Sequence, residues 1–304
     1  VNRRPLFQYL SALLASLATA GVMHAGPAQA QAGTATEGLT ESYRAVNLRR
    51  GGELRILVDQ RTGSAPTTAV LLFAGYPGIL HLREENGVIN HDLAGNFLIR
   101  ARRHLADGEL FTVMVDCPLD QWQACGDAYR TSATHAQDVA DVVDTVKRDF
   151  GARQVYIAGT SYGTVSSAFL ARALAGTIDG AIHAAALTDP GADGHGAVLA
   201  GFDWSQAAVP QLFVHHKEDP CPLTRYAGIV ERRGELPLVT VVGGAGARGP
   251  ACEAFSQHGF VGRERAVMRA LAAWIGERRV APVGVACAAA AGPFGACGGK
   301  TEPR

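Results

Sequence analysis

Between residues 69 and 279 the chain alternates continuous apolar runs with segments that are apolar at helical spacing, and this rhythm narrows its fold more than any other feature. Ala69 to Ala74 is an unbroken apolar run, Asn96 to Ala106 reads as a helix, and Leu110 to Val115 is the next strand. Thr134 to Phe150 places Val139, Val142, Val143 and Val146 on one helical face and meets a stop signal at Gly151. Val155 to Ala158 follows as a short buried strand, then a helix through Ser166 to Ala175. Further strands are predicted at Ala181 to Leu187, Leu212 to His215 and Leu238 to Val242, with a closing helix at Arg263 to Arg279. Strands that are apolar on both faces must be covered on both faces, so the class is α/β with a mostly parallel central sheet between helical layers. Upstream, Tyr43 to Leu48 and Glu53 to Asp59 flank Gly51-Gly52, a hairpin pattern that starts the sheet antiparallel.

With 304 residues, 47% of them hydrophobic, the chain has material for one sizeable core. Lys+Arg and Asp+Glu both number 28. That balance removes the basic field a nucleic-acid binder needs and leaves a small-molecule ligand as the expected partner.

The start of the chain reads Arg3-Arg4, an apolar stretch from Leu6 to Met23, then Ala28-Gln29-Ala30, the order of a signal peptide cut after Ala30. Gln8, Ser11, Ser16 and Thr19 dilute the apolar stretch and argue against a lasting membrane anchor. The twin arginines also loosely resemble a twin-arginine export signal. The expected division is therefore a signal peptide over 1–30, a linker over 31–40, a catalytic domain over 41–280 and a Gly/Ala-rich tail over 281–304. All six cysteines lie beyond the leader, an even number in a chain expected in the periplasm or outside the cell. Nearest-neighbour spacing pairs Cys117 with Cys125, Cys221 with Cys252 and Cys287 with Cys297.

Gly159-Thr160-Ser161-Tyr162-Gly163 is a G-x-S-x-G sequence set between the strand at Val155 to Ala158 and a helix of small residues. The pentapeptide alone arises by chance too readily to carry an argument. Its strand-turn-helix setting is what gives it weight. A serine hydroxyl needs a base to take its proton, and His258 stands after the last strand and before the closing helix.

At this point the chain resembles the α/β-hydrolase superfamily, in element order from about Tyr43 to Arg279 and specifically around Ser161, Asp219 and His258. The resemblance implies an eight-stranded, mostly parallel sheet and a Ser, acid, His triad in that chain order. Asp219, in the segment after the penultimate strand, is then the expected acid, with Asp189 after the preceding strand as its rival. It also implies two backbone donors for a tetrahedral oxyanion, from Tyr162 and, in the Gly75-Tyr76-Pro77-Gly78 loop, from Tyr76, because Pro77 has no N–H.

About two dozen residues separate the strands ending at Leu187 and beginning at Leu212, too few for a large cap. Phe202, Trp204 and His215 are the expected substrate-binding walls, with packing on the sheet edge as the competing reading for the two aromatic residues. The activity expected is hydrolysis of a carboxylic ester through an acyl-enzyme on Ser161, without cofactor or metal. The alternatives are an exported peptidase or amidase with the same triad, a binding protein that no longer catalyses, and a metal hydrolase around His215, His216 and Asp219. The last lacks a recognised ligand spacing.

Overall fold

The computed structural model describes residues 38–123 and 125–284. The leader and the Cys287–Cys297 pairing lie outside the described residues. Eight strands form the central sheet: β1 (Leu39–Asn47), β2 (Glu53–Arg61), β3 (Thr68–Phe73), β4 (Leu110–Val115), β5 (Gln154–Thr160), β6 (Gly180–Ala184), β7 (Gln211–His216) and β8 (Leu238–Val241). Their order across the sheet is β1-β2-β4-β3-β5-β6-β7-β8. β1 and β2 pair antiparallel through the turn at Gly51 and Gly52, both with positive φ, and β2 pairs antiparallel with β4. Every pairing from β4 through β3 to β8 is parallel.

The helices are α1 (Phe97–Ala101), α2 (Asp127–Arg130), α3 (Ala133–Phe150), α4 (Gly163–Ala173), α5 (Tyr226–Arg232) and α6 (Glu264–Glu277). β3 shows why its sequence lacks polar alternation. Ala69, Leu71 and Phe73 pack with Val139, Val142, Val143 and Val146 of α3, whereas Val70 and Leu72 pack with Phe97 of α1 and Met268, Leu271 and Trp274 of α6. The sheet therefore has a core on each side, and all six residues of β3 are buried. α3 is capped at its start by the Ser132 hydroxyl, which accepts the His135 N–H, and ends where Gly151 takes the left-handed conformation at φ 71°.

The element order matches the sequence reading, with differences at the ends. β1 begins at Leu39, four residues before the predicted run, because its pairing with β2 continues to Leu39 opposite Arg61. The predicted helix from Asn96 is cut to five residues and continues as a single 3-10 turn, Arg102–His104. A small hairpin, Arg83–Glu85 with Val88–Asn90, and the short helices α2 and α5 were not predicted. Among the described residues no helix is long and apolar enough to cross a membrane.

Candidate active site

The chain leaves β3 for β4 on one side and later returns to β5 on the other, so the loops after β3 and β5 diverge and open a crevice at the carboxyl ends of these strands. Phe73 and Gly159 face each other in register at that point. The segments that follow them, Ala74 to Gly78 and Thr160 to Gly163, therefore meet.

Ser161 is held at φ 51°, a conformation that costs a residue with a Cβ about 1–2 kcal/mol. Its N–H donates to Ala184 O at 3.0 Å, and its carbonyl accepts both the N–H and the hydroxyl of Thr164. The motif's glycines are required by contact rather than by φ. A Cβ on Gly159 would lie 2.3 Å from Gly163 O, and one on Gly163 would lie 2.2 Å from Phe73 O. Strand, turn and helix approach so closely here that the serine absorbs the strained φ and projects from the turn.

Asp219 lies in the loop after β7 and His258 in a one-turn 3-10 helix, Gln257–Gly259, whose cap is the Ser256 hydroxyl. His258 Nδ1 is 3.1 Å from Asp219 Oδ2, with both side chains almost wholly removed from solvent. Asp219 Oδ1 accepts the Cys221 N–H at 2.9 Å, and Oδ2 also accepts the Thr224 hydroxyl at 2.9 Å. That hydroxyl is 3.0 Å from His258 Nδ1 as well. An Nδ1–H committed to Asp219 leaves the Nε2 lone pair of the neutral ring available. Asp189, the rival acid, is spent on a surface pair with Arg225 at 2.8 Å.

Ser161 and His258 line one cavity of about 380 Å³, together with Gly75, Tyr76, Asn96, His195 and both cysteines of the Cys221–Cys252 bridge. Leu93, Phe97, Leu223, Ala254 and Phe255 give it an apolar wall. No hydrogen bond joins Ser161 to His258 among the described residues. A roomier hollow of about 540 Å³ beside the start of α6 is lined largely by arginines and contains no nucleophile.

Tyr76 lines the cavity, and Tyr162 directly follows Ser161 at the head of α4. Among the described residues neither backbone N–H has an acceptor within the protein. The Tyr76 loop is held from below by Arg130, whose guanidinium is wholly buried. Arg130 donates to Gly78 O at 3.2 Å, Cys125 O at 2.9 Å and Ser166 Oγ at 2.8 Å, and it lies 4.9 Å from the centre of the Tyr162 ring. Burial lowers its pKa from the usual value. Cys117 and Cys125 form a second disulfide beside it.

Three expected wall residues are not in the cavity. Phe202 and Trp204 pack instead against Phe169 of α4 and Phe213 of β7, with ring centres 5.0 and 4.9 Å apart respectively, because burial between α4 and the face of the sheet removes both large rings from water. His215 sits behind the acid, fully buried, and its Nε2 donates to Thr224 O at 2.6 Å. It supports the Asp219 loop rather than facing a ligand, and burial lowers its pKa to about 4. His216 points away to Gly243 O, and no cluster of metal-ligating residues occurs among the described residues.

No family model matches the chain, and no curated protein matches it in sequence. Solved structures do. Est1E from Butyrivibrio proteoclasticus superposes with a TM-score of 0.53 at 15% identity, over 77% of this chain and 97% of that one. The chain has the α/β-hydrolase fold. A second structure with this fold, an alpha-beta serine hydrolase homologue from Coxiella burnetii, matches with a TM-score of 0.50 at 17% identity, over 76% of this chain and 95% of that one. As in an α/β-hydrolase without a cap, the segment between β6 and β7 carries only two single 3-10 turns, Ala197–Leu199 and Trp204–Gln206.

Sequence reasoning passed over Thr224, His195, Arg130 and Phe255. Thr224 carries no local signal, since its role depends on the loop folding back on Asp219. Arg130 was hidden in a four-residue helix.

Proposed function

We propose that this α/β-hydrolase fold carries a serine hydrolase that cleaves a carboxylic ester of a small molecule, with Ser161 as nucleophile, His258 as base and then acid, and Asp219 as the partner of His258. The observation that carries the reading is the buried Asp219–His258 pair opening onto the same cavity as Ser161, which the elbow holds at positive φ. His258 Nε2 takes the proton as Ser161 Oγ attacks the carbonyl carbon. The amides of Tyr76 and Tyr162 receive the oxyanion. Collapse of the tetrahedral intermediate expels the alcohol, which takes its proton from His258, and water then repeats the sequence on the acyl-enzyme.

The Cys221–Cys252 bridge ties the loop of the acid to the segment preceding the base. Closing a loop of this length, 31 residues in sequence separation, stabilises the fold by roughly 3–4 kcal/mol in the chain-entropy picture. It also limits drift of His258 relative to Asp219, to which catalysis is steeply sensitive. Two disulfides and a leader-like start support a site of action in the periplasm or outside the cell.

The test is covalent labelling by a fluorophosphonate, abolished in Ser161→Ala, followed by a panel of p-nitrophenyl esters against aminoacyl-nitroanilides. Labelling with turnover of the esters is the expected result. Turnover of the anilides alone would make the chain a peptidase or amidase, and a folded protein that takes no label would make it a binding protein.

A further inference from the structure

His195 is a second imidazole in the cavity of Ser161 and His258, and the triad chemistry does not use it. Its surroundings are built to hold it. Nδ1 is hydrogen-bonded to Asp193 Oδ1, which also accepts the backbone N–H of His195 at 3.2 Å, and Asp193 Oδ2 accepts the Tyr76 hydroxyl at 3.3 Å. The ring lies 4.6 Å from the Tyr76 ring and edge-on to Tyr162 at 5.1 Å. Gly191 makes room beneath it, since a Cβ there would fall 2.0 Å from Cε1 of His195. Gly196, the next residue, is fixed by donation to Asp127, the same carboxylate oxygen that accepts the Tyr162 hydroxyl.

With Nδ1–H given to Asp193, the neutral ring keeps a lone pair on Nε2, and among the described residues that nitrogen has no hydrogen-bond partner. An acceptor locked in orientation at the wall of a substrate cavity selects a group that donates. We propose that His195 is a specificity-determining residue whose Nε2 accepts a hydrogen bond from a hydroxyl group of the substrate, so that the preferred esters carry a free hydroxyl near the scissile bond. The proposal rests on the ester-hydrolase reading given above. The hydroxyl belongs either to the alcohol or to the acyl part, and the same acceptor serves both.

Two isosteric pairs, each exchanging a methyl for a hydroxyl, test it: 2-hydroxyethyl butyrate against propyl butyrate for the alcohol side, and ethyl 3-hydroxypropionate against ethyl butyrate for the acyl side. In His195→Phe the ring against Tyr76 is kept and the acceptor is lost. The expected result is that the hydroxyl-to-methyl ratio of kcat/KM falls about tenfold in the variant for one pair, chiefly through KM, as for a lost hydrogen bond. Which pair responds assigns the hydroxyl to the alcohol or the acyl part. Fluorophosphonate labelling of the variant reports an assembled triad independently of the esters. A ratio unchanged in both pairs, in a variant that still labels, overturns the role of His195 and leaves the hydrolase reading standing. A wild type that neither labels nor turns over any ester overturns both.

Discussion

The Asp219–His258 contact depends on a residue that does no chemistry itself. Thr224 places one hydroxyl within hydrogen-bond distance of Asp219 Oδ2 and His258 Nδ1, and its carbonyl is anchored by His215. It therefore sets the imidazole's tilt from the side. Thr224→Val keeps the shape and removes the hydroxyl, leaving the direct Asp219–His258 bond. The loss of one neutral-to-charged hydrogen bond, about 1.5 kcal/mol, corresponds to roughly a tenfold fall in kcat. KM should be little altered, because Thr224 does not line the cavity. Steady-state kinetics on a p-nitrophenyl ester check this, and an equal rise in KM would indicate a disturbed cavity instead.

Within the elements, glycines of the same chemical kind carry opposite expectations. Gly163 opens α4 where a Cβ would strike Phe73 O of β3, so Gly163→Ala forces the helix off the sheet. Overpacking of this kind costs about 1–3 kcal/mol, with backbone as the immovable partner here placing it at the upper end. Gly276, near the end of α6, has nothing within 4 Å of an added Cβ, so Gly276→Ala gains the helix propensity of alanine, about 0.5–1 kcal/mol. Urea denaturation of the two variants should move the midpoint in opposite directions. The same close approach explains why the small-residue helix after Ser161 was readable in sequence while α1 was shorter than its pattern. α4 has to meet β5 and β3 within van der Waals distance, whereas α1 places Phe97, Leu98 and Ala101 in the core and the 3-10 turn after it carries Leu105 into the same core.

At the scale of the molecule, the sheet and its covering layers bury the imidazoles of His135, His183 and, directly behind Asp219, His215. Burial lowers His135 to a pKa of about 3, and His183 and His215 to about 4. An unfolded histidine titrates near 6.5, so the folded-state values are depressed. Their contribution to stability is fully present above about pH 6.5 and is lost as the pH falls toward 4. Asp59, raised to about 6 by burial, acts in the opposite sense over the same window, and burial raises Asp116 too. A single-site difference isolates one term. His183→Gln should flatten the pH dependence of the unfolding free energy between pH 6 and 5 by roughly 1 kcal/mol per pH unit, read from urea midpoints at each pH. An unchanged slope would mean that His183 does not enter the fold uncharged.

The hairpin at 83–90 went unpredicted because three-residue strands carrying Arg83, Glu84 and Glu85 have no hydrophobic period, although Asn86-Gly87 at its turn is a usable signal and both residues take positive φ. The sequence by itself determined the parts whose cause is local. Continuous apolar runs demand a sheet buried on both faces, valines at helical spacing demand α3, and Gly159 and Gly163 around Ser161 mark a turn too tight for side chains. It also offered Ser161, Asp219 and His258, in that chain order, as the candidates for the site. The tertiary structure alone decided what surrounds them, because those contacts join segments distant in the chain. It set Thr224 beside Asp219 and His258, put His215 behind Asp219, turned Phe202 and Trp204 onto α4 and β7, and brought His195 over Gly191 into the cavity. Strand order brings together the loops after β3 and β5, and no periodicity along the chain encodes which loops those will be.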